Sequence, residues 1–76
     1  MSYGYSLRLI ERNSQANENK LGVRLGRVCI KHNVPVTIVA SRFGVTRQTV
    51  YNWFSGTGNP AEPLHGLVTQ YISTLT

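Results

Sequence analysis

In residues 36–55, VTIVASRFGVTRQTVYNWFS, one glycine divides two short segments that each carry apolar residues at helical spacing. Val39 and Phe43 precede Gly44, Val45 follows it directly, and Val50 and Trp53 lie beyond. These side chains meet in one place only if a short helix, a tight turn and a second short helix cross steeply. Ala40 falls where such helices come closest, so a small side chain is needed there. Gly44 supplies a positive φ that larger residues adopt at a cost, and the Thr46 hydroxyl is placed to cap the second helix. The pattern predicts helices over Val36 to Phe43 and Arg47 to Ser55.

The flanking segments extend the helical reading. From Lys20 to His32, Leu21, Leu25 and Val28 form one helical face with Cys29 at its border. Gly22 and Gly26 lie on another side and permit a neighbouring backbone to approach closely. Lys20, Arg24, Arg27 and Lys31 recur at helical spacing as a narrow basic stripe, as consistent with a solvated face as with a polyanion contact. Asn33-Val34-Pro35 ends this helix, and the breaker cluster Gly56-Thr57-Gly58-Asn59-Pro60 ends the 47–55 helix. Pro63 suits the first turn of a last helix, whose apolar stripe is Leu64, Leu67, Val68, Tyr71, Ile72 and Leu75. At the other end, Tyr3 to Ser14 mixes strand-like alternation with a Ser6-capped helix pattern, and the helix is favoured. The polar run from Asn13 to Asn19 then separates an N-terminal arm, 1–19, from a core domain, 20–76. The expected fold is all-α, a compact bundle of about four to five short helices containing a helix-turn-helix at 36–55.

A chain of 76 residues builds only one modest core, which argues against a deep catalytic cleft. No catalytic triad, carboxylate pair or phosphate loop is present, so no enzyme is expected. No cofactor or small-molecule ligand is expected either. The single Cys29 and scattered histidines offer no zinc cluster. No segment has the apolar length of a membrane helix or the pattern of a signal peptide, which implies a protein that stays in the cytoplasm. Eight Lys and Arg face three acids, for a formal charge of +5. Most cations therefore lack an internal carboxylate, and a polyanionic partner is favoured.

The segment 36–55 resembles the helix-turn-helix of the phage repressor and Cro family, the Xre-like regulators. The resemblance rests on Ala40, Gly44 and the apolar set Val39, Phe43, Val45, Val50 and Trp53. It implies that the 47–55 helix lies in the major groove of double-stranded DNA, with Arg47, Gln48 and Asn52 reading bases and Thr49 and Tyr51 at the edges of that face. Arg matches guanine O6 and N7, and Gln and Asn match adenine N6 and N7. It further implies phosphate contacts from Thr37, Thr46, Ser55, Thr57, Asn59 and the Lys31 end of the stripe, and a homodimer on a palindromic operator. The implied activity is transcriptional regulation, with the phage or mobile-element setting typical of the family and the host cytoplasm or nucleoid as its place. Other readings are a packaging or assembly factor that marks a DNA site, a protein-interaction module such as an antitoxin, and an ordinary corner of a helical bundle.

Overall fold

A computed structural model describes residues 5–76, which form an all-α bundle. Its helices are α1 (Leu7–Gln15), α2 (Leu21–Lys31), α3 (Val36–Phe43), α4 (Arg47–Ser55) and α5 (His65–Leu75), with a single 3₁₀ turn at Glu62–Leu64 before α5. Local chemistry sets these boundaries. Ser6 caps α1 by accepting from the Leu9 amide, and Thr46 caps α4 by accepting from the Thr49 amide. Helices α2 and α3 end alike. Asn33 (φ 56°) and Gly44 (φ 66°) adopt the left-handed conformation, and the next amide, of Val34 or Val45, donates back to Cys29 O or Ala40 O. Each motif turns a valine back towards the core.

The first turn of α2 has no capping side chain of its own, because Lys20 occupies the cap position. Asn59, distant in sequence, supplies the cap: its Oδ1 accepts from the Gly22 amide at 3.0 Å. Lys20 itself reaches to the end of α4, where its Nζ donates to Gly56 O at 2.8 Å. These contacts tie the start of α2 to the end of α4.

The core centres on the crossing of α2 and α4. A Cβ on Gly22 would lie 2.8 Å from Trp53 Cβ and 2.9 Å from the Trp53 carbonyl oxygen. One on Gly26 would lie 2.8 Å from Phe54 Cγ. The glycines thus let α4 pack directly on the α2 backbone, with Trp53 and Phe54 buried over it. Val39, Ala40 and Val50 are buried beside them, while Phe43 and Val45 pack partly exposed at the margin. Phe43 also meets Trp53 and Tyr71 edge to face, and Arg42 lies 5.0 Å above the Tyr71 ring.

Over its described part, 5–19, the reading of 1–19 as an arm apart from the core gives way in this structure. Tyr5 and Leu9 are buried, the Tyr5 ring stacks on Phe54 with centroids 6.1 Å apart, and the Tyr5 hydroxyl donates to Val34 O. Asn13, 3% exposed, donates from Nδ2 to Val23 O and Phe54 O, joining α1 to both α2 and α4. Arg27 closes the end of α1, donating to the carbonyls of Asn13, Ser14 and Ala16 while pairing with Glu18 at 2.6 Å. α1 is therefore a full member of the bundle. Tyr3, which the expected N-terminal helix included, lies outside the described residues. In α5 only Val68 is fully buried, and Leu67 is 55% exposed.

Candidate nucleic-acid interface

The face of α4 turned away from α2 carries the expected readers. Arg47, Gln48 and Tyr51 are exposed, whereas Thr49 and Asn52 are half-buried. Gln48 Nε2 donates to Asn52 Oδ1 at 3.1 Å, one helical turn along. That bond uses Gln48 Nε2 and Asn52 Oδ1, and leaves Gln48 Oε1 as an acceptor and Asn52 Nδ2 as a donor without a hydrogen bond among the described residues. Such a pair suits the N6 and N7 edge of adenine. The Thr46 and Thr49 hydroxyls lie 3.0 Å apart, so both are engaged at the helix start.

The expected phosphate contacts fare differently from one another. Thr37 is exposed on the first turn of α3, after Pro35, which has no capping side chain. Ser55 Oγ donates to Tyr51 O at 2.9 Å and lies 3.1 Å from Thr57 Oγ1, so both hydroxyls have partners within the chain. Asn59 caps α2, and Lys31 lines a separate groove with Ile10 and Ile30 between α1 and α2.

Two residues that sequence reasoning missed are Arg8 and Arg12. A groove of about 650 Å³ opens between α1 and α4, with these guanidinium side chains on one wall and Gln48, Tyr51, Asn52 and Ser55 on the other. No Asp or Glu lines it. The available signal was their spacing, one turn apart on a Ser6-capped helix; the missing information was which neighbour α1 packs against.

Charge is unevenly committed across the molecule. Among the described residues the one ion pair joins Arg27 to Glu18. Lys20 holds Gly56 O and Arg42 covers Tyr71, so half of the basic stripe, Lys20 and Arg27, has internal partners. Arg8, Arg12 and Arg47 make no ion pair among the described residues and stand on or beside the α4 face. The other perturbed groups belong to the interior: burial pushes the Cys29 thiol up to about 12 and raises the Tyr5 hydroxyl above its usual range. No group of three His, Cys, Asp or Glu among the described residues can hold a metal ion, and His65 Nε2 lies 2.8 Å from Pro60 O. No helix among them is long and apolar enough to cross a membrane. Comparison with protein families, with curated proteins and with solved structures finds no match to this chain.

Proposed function

We propose that this protein is a sequence-specific double-stranded DNA-binding regulator of the repressor or Cro type, inserting α4 into the major groove. The observation that carries the reading is the construction of α4. Its inner face is locked against the α2 glycines, while exposed Arg47 and Gln48 and half-buried Asn52 lie on the outer face, the last two lining a groove without Asp or Glu among the described residues. A major groove about 12 Å wide admits one helix, and these side-chain types match guanine and adenine edges. Arg47 is the guanine reader, and the Gln48–Asn52 pair reads adenine as a unit. Thr49 and Tyr51 border the read positions, and Thr37 holds the phosphate strand near the start of α3.

A single module of this size covers a short half-site, so the protein works as a homodimer on a palindromic operator. The exposed Leu67 on α5 and Ile38 on α3 supply apolar surface for a second copy. Binding excludes polymerase or a competing regulator, in the cytoplasm of the cell that makes the protein.

Selection of bound duplexes from a random pool at near-physiological salt tests the reading, because low salt lets any basic protein bind. Enrichment of paired half-sites, with one position relaxed in Arg47→Ala and another in Gln48→Ala, is the expected result. A pool that stays random after repeated rounds removes the regulator reading.

A further inference from the structure

Resting on the DNA-binding reading above, we propose that α1 is a backbone clamp: Arg8 and Arg12 grip the phosphates of the strand flanking the major groove that α4 enters. The groove between α1 and α4 places both guanidinium side chains opposite Gln48 and Asn52 with no carboxylate between them. A helix one groove-width across leaves its neighbours over the sugar-phosphate wall, and α1 is the neighbour on this side. Arg is suited to that position because its planar fork bonds two phosphate oxygens at once.

The two cations are held ready for this contact. Helix α1 is fixed by the Ser6 cap, by buried Leu9, by the two bonds from Asn13 and by Arg27 across its last carbonyls. Arg8 and Arg12 themselves are exposed and have no ion pair among the described residues. They project from an anchored helix and need break no hydrogen bond or ion pair among the described residues to bind. Glu11 does not line the groove. Of the other cations without an ion pair among the described residues, Arg47 stands on α4 itself, whereas Arg24 lines a groove with Ile72 and Lys31 lines the one between α1 and α2. Charge on α1 is therefore directed at the same partner as α4, whereas charge at Arg24 and Lys31 is not.

The test measures binding of the full chain to its selected duplex and to a random duplex across a salt series. Arg8→Ala with Arg12→Ala should lower the slope of log K against log salt by about 1.8, roughly 0.9 for each phosphate released. Base preference should be unchanged, with both duplexes weakened by the same factor. Arg24→Ala with Arg42→Ala removes the same charge away from the groove and should leave the slope within about 0.4 of the parent. Arg8→Lys with Arg12→Lys should restore most of the slope, and unchanged thermal midpoints establish that every variant is folded. If the parent selects a motif but the α1 and control doubles lose equal slope, or the α1 double loses none, the clamp is wrong while the reading helix stands. Altered base preference in the α1 double overturns it too, since α1 would then touch bases. A parent that binds no duplex overturns the clamp together with the reading it rests on.

Discussion

Two of the neighbours of helix α4, α2 and α1, treat it in opposite ways. On the α2 side, glycines bring two backbones together and Trp53 and Phe54 are sealed over them. On the α1 side, the contact opens into a groove lined by Arg8, Arg12, Gln48 and Asn52. The dry contact determines where the backbone of α4 lies; the wet one determines what chemistry stands along it. The proposed recognition role of α4 needs both, because side chains read a surface only as well as their backbone is held.

The dry side is broken most directly at Gly22. The added Cβ of Gly22→Ala would meet the Trp53 backbone oxygen at 2.9 Å, and no rotamer change relieves a backbone clash. We expect a loss of about 3 kcal/mol, which for a domain of this size lowers the thermal midpoint by on the order of 15 °C. A midpoint within a few degrees of the parent would mean that the helices separate easily and that α4 is not rigidly placed. Next in size is Asn13→Ala, which removes the Nδ2 bonds to Val23 O and Phe54 O. It should cost about 2 kcal/mol and speed amide exchange in α1 more than in α4. Equal acceleration in both helices would contradict the view that α1 is fastened to a frame that α2 and α4 already make.

How much of this was legible in advance differs between the two sides. Periodicity and breakers placed α3 and α4 at their observed bounds, because Gly44, Thr46 and the Val39, Val50 and Trp53 spacing are local signals. The close approach at Gly22 and Gly26 was legible as well, since two bare positions one turn apart imply a neighbouring backbone. The polar contacts, on either side of α4, were not. Asn13 reads as a turn former, and only its distant partners Val23 O and Phe54 O make it a core residue. Lys20 and Arg27 form a stripe in sequence, yet each is drawn to the carbonyl end of another helix. Asn59 is expected from the sequence as a phosphate contact, yet with Lys20 at the cap position its Oδ1 takes the Gly22 amide of α2. In each case the deciding partner is far away in the chain, so hydrogen-bonding capacity was visible but its destination was not.

The dry side should also be visible as an alkaline limb in stability. Burial raises the thiol of Cys29 from its ordinary value to about 12 and raises Tyr5 and Tyr71 as well. The folded state therefore keeps protons that the unfolded chain releases, so this contribution is complete below the unfolded thiol's pKa and declines as pH rises towards 12. The decline for one such group is about 1.4 kcal/mol per pH unit. Urea midpoints measured at about pH 8 and about pH 10 should fall for the parent and fall less for Cys29→Ala. Equal falls would place the thiol in contact with water and the α2 face outside the sealed core.

The smallest effect is expected where α4 faces the groove. Gln48 and Asn52 share a bond of 3.1 Å on an exposed helix surface, and such pairs stabilise a helix by about 0.2 to 0.5 kcal/mol. Gln48→Ala, Asn52→Ala and the double variant should therefore melt within about 3 °C of the parent. Their coupling in a stability cycle should be no larger than the pair itself. If the pair reads adenine as proposed, coupling in DNA binding should be larger, because losing either partner frees the other to rotate. A stability loss of about 2 kcal/mol from Asn52→Ala alone would place its half-buried side chain in the structural core. The division of α4 into a held face and a reading face would then fail at its middle residue.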